Sequence, residues 1–111
     1  MAAYSELTIE QGATFTSTVN VQDIFGNPID LSNYTTASMM RKSYYSSSSI
    51  IITSVITGNS NGEITLTISS NTTANINPGR YVYDVIITDT ETSSVTRVVE
   101  GIATVLPSVT R

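Results

Sequence analysis

The sequence predicts an all-β protein, an antiparallel sandwich of about seven strands. Three observations lead there. Apolar and polar residues alternate with period two along most of the chain, and helical spacing is almost absent. Turn residues interrupt that alternation at intervals of about 8–12 residues, the spacing of sandwich strands. The length, 111 residues, is that of one ordinary domain, long enough to bury roughly two-thirds of its unfolded surface without staples.

The elements follow in order. Leu7 and Ile9 alternate with polar residues and end at the turn Glu10-Gln11-Gly12. Phe15, Ser17, Val19 and Val21 then share one face, while Thr14, Thr16, Thr18 and Asn20 share the other, the pattern of a half-buried strand. Gly26-Asn27-Pro28 marks a turn inside the connection 23–33. Residues 35–45 form a third strand, less cleanly patterned, and the serine run 46–49 is a loop. Residues 50–56 are the fourth strand, and Gly58-Asn59-Ser60-Asn61-Gly62 turns the chain into a fifth built on Ile64, Leu66 and Ile68.

Residues 71–79 are a loop with one short helical turn near 72–75, closed by Pro78-Gly79. Tyr81, Tyr83, Val85 and Ile87 line one face of the sixth strand. A polar hairpin, 89–94, leads to a long last strand, 95–106, in which Gly101 marks a bulge or a close approach of backbone. The branched Cβ atoms of Thr and Val suit a pleated surface. Seven strands so spaced give an immunoglobulin-like antiparallel β-sandwich, one domain over residues 1–111. Residues 1–5 and 107–111 carry little core material and read as short extended termini.

The inward parity places Phe15, Val19, Leu66, Tyr81, Tyr83 and Val85 in the core. A tyrosine at the start of the sixth strand of such a sandwich commonly hydrogen-bonds back across a corner, which gives Tyr81 a structural role. Without Trp or a Cys pair the core is not of the antibody type.

Composition excludes much chemistry. There is no Cys, hence no disulfide and no thiolate, and no His, hence neither the commonest general base nor the commonest metal ligand. Catalysis needs a nucleophile beside a base, or two carboxylates in separated environments. Asp84, Asp89 and Glu91 fall at a strand end and a hairpin, where solvated acids are ordinary, and no phosphate loop is present. The sequence therefore predicts no enzyme, no catalytic residues, no cofactor and no metal. Asp30 reads as a cap for the backbone N–H groups of Leu31 to Asn33; the alternative, a calcium ligand alongside Asp23, needs more oxygens than two Asp residues seven apart supply. Met39-Met40-Arg41-Lys42 is the one basic cluster, and adjacent strand positions face opposite ways, so Arg41 and Lys42 are not expected to line one groove.

A formal net charge of −4, from nine acidic and five basic residues, disfavours nucleic acid. Residues 1–6 lack the basic start and apolar run of a signal peptide, and the longest aliphatic run, Ile50-Ile51-Ile52, is far short of a membrane helix. The chain is expected to fold in a cytoplasm, so the Asn-x-Thr triplets at Asn33 and Asn71 are read as chance. Only 13% of residues are charged, so Ser, Thr and Asn supply the polar surface. Such a surface is cheap to desolvate and suits packing among neighbours.

Several segments resemble small tailed-phage virion proteins with immunoglobulin-like domains, including the N-terminal domain of baseplate upper proteins and short cyanophage structural proteins. They are Gln11-Gly12-Ala13-Thr14-Phe15, then Gly26-Asn27-Pro28-Ile29-Asp30-Leu31 with Tyr34, then Met40-Arg41 and Gly62-Glu63-Ile64-Thr65-Leu66. The most specific is Pro78-Gly79-Arg80-Tyr81-Val82-Tyr83-Asp84-Val85; Arg97-Val98-Val99-Glu100-Gly101 and Val109-Thr110-Arg111 follow. The resemblance implies a virion subunit, made in the host cytoplasm and part of a symmetric multi-copy assembly. It leaves the location in the particle open: the partners would be other virion proteins, of a tail or baseplate or of the capsid, with no nucleic acid or membrane.

Two further functions fit the same residues. One is capsid decoration. The other is a host-surface carbohydrate-binding module, for which Tyr44 and Tyr45 beside the serine run are the best aromatic platform, ahead of Tyr4 and Tyr34. Association is expected through sheet edges and extended termini, with Tyr44, Tyr45, Val109 and Arg111 as interface candidates.

Overall fold

Branched and aromatic side chains at every second position form eight strands in the structure, a computed structural model that describes residues 3–23, 25–43, 46 and 48–109. They are β1 (Ala3–Tyr4), β2 (Leu7–Glu10), β3 (Phe15–Asn20), β4 (Tyr34–Arg41), β5 (Ile50–Gly58), β6 (Glu63–Ile68), β7 (Gly79–Asp89) and β8 (Val95–Leu106). One helical turn, α1 (Ser70–Thr73), lies between β6 and β7. The fold is all-β and sandwich-like, a mixed sheet that curls in the order β1-β8-β7-β4-β5-β6-β3, with β2 also on β8.

The two layers are joined through β5. Its first residues, Ile50 to Ile52, pair with Met40 to Ser38 of β4, and the remainder pairs with β6. One layer is therefore β1 and β2, β8, β7 and β4; the other is β3, β6 and the second half of β5. Between them lie Ile9, Met40, Val85 and Val105 from the first layer and Phe15, Ile64, Leu66 and Ile68 from the second, all buried. Tyr81 and Tyr83 are buried in the same core, and Val19 is half-buried against it.

The sheet departs from a purely antiparallel sandwich. Both β1 and β2 run parallel to β8, with Ala3 opposite Val99 and Leu7 opposite Ala103. Residues 3–5 are thus not a projecting terminus, and the cause lies at Ser5. Its N–H donates to the Glu100 carbonyl at 2.9 Å, and its carbonyl accepts from the Tyr83 hydroxyl at 2.6 Å. Gly101 makes room, since a Cβ there would lie 2.0 Å from the Ser5 oxygen. Gly101 is accordingly a close-approach glycine. The bulge of β8 falls elsewhere, at Val98, between the pairs Val85–Val99 and Ile86–Arg97.

Other boundaries follow local chemistry. The turn before β6 needs Gly62 at φ 65°, where a Cβ would also strike the Val21 carbonyl at 2.4 Å. The strand expected over 35–45 ends at Arg41. The helical turn begins slightly earlier than its pattern suggests, because the Ser69 side chain accepts from the Thr72 N–H and caps it.

Two substitutions test this core. Tyr83→Ala removes a buried ring and should destabilise the domain by about 3–5 kcal/mol in urea unfolding; a cost below about 1 kcal/mol would contradict the inward placement. Gly101→Ala should cost about 1–3 kcal/mol by overpacking and expose the amides of β1 to hydrogen exchange. Unchanged protection at Ser5 would show that the close contact does not fix the first strand.

Candidate interaction surface

Each exposed feature is set by the strands beneath it. At one end of the sandwich the Tyr81 hydroxyl donates to the Asn77 carbonyl at 2.8 Å, tying the start of β7 to the loop before it. Lys42 Nζ sits 4.8 Å from the centroid of that ring. The Arg41 guanidinium donates to the Ser46 carbonyl at 2.6 Å. Contrary to the strand-parity expectation, Arg41 and Lys42 line one cleft, with Ser46, Asn75, Asn77 and Tyr81. The reason is that β4 stops at Arg41, so Lys42 has left the pleat.

The same end is closed by Thr73 and Gln11, the latter bonded to the Ile76 carbonyl that borders the cleft. Thr73 is fully buried; its hydroxyl accepts from the Gly12 N–H at 3.1 Å and donates to the Ala13 carbonyl at 2.8 Å. The Gln11 amide donates to the Ile76 carbonyl and accepts from the Ser108 N–H at 3.3 Å. That bond holds the chain after β8 and presents Val109, which is 100% exposed, beside a half-exposed Leu106. Of the other interface candidates, Tyr44, Tyr45 and Arg111 lie outside the described residues.

The outer faces differ in chemistry. On β7 and β8, Arg97 bridges Asp84 at 3.3 Å and Glu100 at 3.2 Å, in the open. The second layer carries instead a field of threonines: Thr16 faces Thr67, Thr18 faces Thr65, and Thr67 faces Thr53 across the strands. The Thr57 hydroxyl lies 3.0 Å from that of Thr65.

Three Asp side chains at the loops accept hydrogen bonds from backbone N–H groups. Asp23 accepts from the Phe25 and Asn27 N–H groups at 2.8 and 3.0 Å, and Asp89 from the Glu91 N–H at 2.9 Å. Asp30 accepts from both the hydroxyl and the N–H of Ser32, which holds its carboxyl below the usual range. Asp23 and Asp30 thus act as loop caps. Among the described residues no group of three or more His, Cys, Asp or Glu could hold a metal ion. What these surfaces offer is hydrogen bonding, strand pairing and apolar contact.

Sequence reading missed several exposed apolar side chains, among them Phe25 at 80%, Ile51 at 69%, Val55 and Val95. Ile51 stands in the aliphatic run Ile50-Ile51-Ile52, where strand alternation turns the middle residue away from the face its neighbours share.

No family model and no curated protein sequence matches this chain. Among solved structures, the N-terminal domain of phage TP901-1 ORF48 is similar with a TM-score of 0.55 at 13% identity, over 91% of this chain and 84% of that one. InlP of Listeria monocytogenes is similar with a TM-score of 0.50 at 18% identity, over 95% of this chain. This chain spans 28% of that protein. At such identities the likeness is one of fold.

Burial raises the Tyr83 hydroxyl pKa above its ordinary 10.0. The folded state then favours the neutral phenol more than the unfolded state does. That stability is fully present below the unfolded pKa and is lost as pH rises through the folded one. Unfolding free energy should therefore fall above about pH 10, and Tyr83→Phe should flatten the decline. An equally steep decline in the variant would assign it to other groups.

Proposed function

We propose that this chain is a non-enzymatic structural protein of a tailed-phage virion, a tail or baseplate component that binds other virion proteins. The observation that carries the reading is the likeness to the phage TP901-1 ORF48 N-terminal domain, which extends over nearly the whole of both chains. The segments that resemble phage virion domains support it, because they occupy structurally demanding positions. Gly62 is at its turn, Tyr81 and Tyr83 at their buried hydrogen bonds, and Gly101 against Ser5.

The finer, immunoglobulin-like description draws support from the layers. β8-β7-β4 opposes β3-β6-β5, and Tyr81 bonds to a carbonyl four residues upstream at the head of β7. A charge-poor surface of hydroxyls, with Val109 presented beside Leu106, suits contacts with neighbouring subunits in a repeated assembly.

A mass-spectrometric inventory of purified particles, heads and tails separated, tests the placement. The expected result is recovery with tails; recovery with heads alone overturns it in favour of capsid decoration. Deleting residues 107–111 should leave the circular dichroism spectrum and melting cooperativity intact while reducing incorporation into particles. Incorporation at the wild-type level would remove the end of the chain as a contact.

A further inference from the structure

The edges of the curled sheet are not equally protected. Along β1 and β2 the outer edge is broken at Ser5-Glu6 and carries Glu6 and Glu10. β5 gives its first residues to β4 and the rest to β6, and its register slips between Ile56 and Gly58. These are the usual devices against edge-to-edge pairing: interruption, charge and bulge. β3 has none of them. It pairs with β6 alone, in unbroken register from Phe15 opposite Ile68 to Asn20 opposite Glu63. Its six residues, Phe-Thr-Ser-Thr-Val-Asn, include no charge and no proline.

The strand also reads nearly the same in both directions about Ser17. We infer that β3 pairs antiparallel with β3 of a second copy, across a two-fold axis at Ser17. In that register Thr16 faces the partner's Thr18 on the exposed side, and Phe15 faces the partner's Val19 on the core side. Threonine pairs and aromatic–β-branched pairs are favourable cross-strand neighbours. The exposed pairs continue the threonine rows that already run from Thr53 through Thr67 to Thr16. The half-buried Val19 gains cover beneath the partner's Phe15.

Charge argues for a second copy over an unrelated acidic strand or a basic one. Each molecule carries a net −4, yet this edge is neutral, so two copies meet there without like charges opposed. The product is a two-fold closed dimer with the sheet β5-β6-β3 running on into its partner. The inference rests on the topology and on the residues of β3, and it does not depend on whether the chain belongs to a virion.

Two experiments on the purified protein decide it. Sedimentation equilibrium should show a monomer–dimer equilibrium, and the variant Thr16→Lys/Thr18→Lys should weaken it at least about tenfold by setting lysines opposite one another. Both threonines are exposed, so the melting transition should remain cooperative and near that of wild type. The chain has no cysteine, so register can be read by oxidation. An equimolar mixture of Thr16→Cys and Thr18→Cys proteins should form disulfide dimers faster than either alone. A wild-type monomer at millimolar concentration, a dimer indifferent to the lysines, or no gain on mixing would each overturn the inference.

Discussion

The carbonyl of Ser5 decides which layer the first strand joins. It lies against Gly101, where no side chain intervenes, and takes the hydroxyl proton of Tyr83. Tyr83 is buried, so its hydroxyl must find a partner inside the protein; left unpaired it would cost about 1–3 kcal/mol. Were the first strand to lie along β3, that partner would be gone. The tyrosine and the glycine together therefore hold β1 and β2 parallel to β8, and β3 is left as an edge.

The crossing from β2 to β3 is where this arrangement could fail, since the chain must leave one layer for the other and turn its backbone inward. Thr73 meets that need. Its buried hydroxyl serves both Gly12 and Ala13, and the Gln11 side chain reaches the Ile76 carbonyl just after the helical turn that carries Thr73. The single helical turn thus matters for the side chain it places. Its cap at Ser69 orients Thr73, Thr73 fixes the turn, and the turn hands Phe15 to the second layer in the parity that buries it.

Much of this was legible in the residues. Strict alternation marked the inward faces of β6 and β7, and the glycine pair 58 and 62 marked the turn before β6. The parallel first strand was not legible, because its pairing rests on backbone contacts at Ser5 and on the missing side chain of Gly101, 96 positions away. Tyr4 and Glu6 bear no core pattern that could have announced it. The cleft shared by Arg41 and Lys42 was hidden for a similar reason. Parity holds only inside a strand, and the point where β4 ends is set by its partners. Local chemistry was easier to read: Asp30, expected to cap its loop, accepts from the Ser32 N–H, and Tyr81, expected to bond across a corner, donates to the Asn77 carbonyl, whereas the capping by Asp23 was not foreseen.

The neutrality of the surface links fold to assembly. Exposed ion pairs contribute little to a monomer, and burying an ion at a new interface is costly unless its partner comes with it. Arg97 with Asp84 and Glu100 is the ion cluster found among the described residues, and it sits on the first layer, away from β3. The second layer exposes threonine, whose hydroxyl can give and accept and whose methyl packs on a pleat. Along β3, which carries no charged residue, such a sheet can meet another sheet edge without setting charge against charge. The −4 of the whole molecule then acts at long range, keeping copies apart until an edge with no charge of its own is aligned.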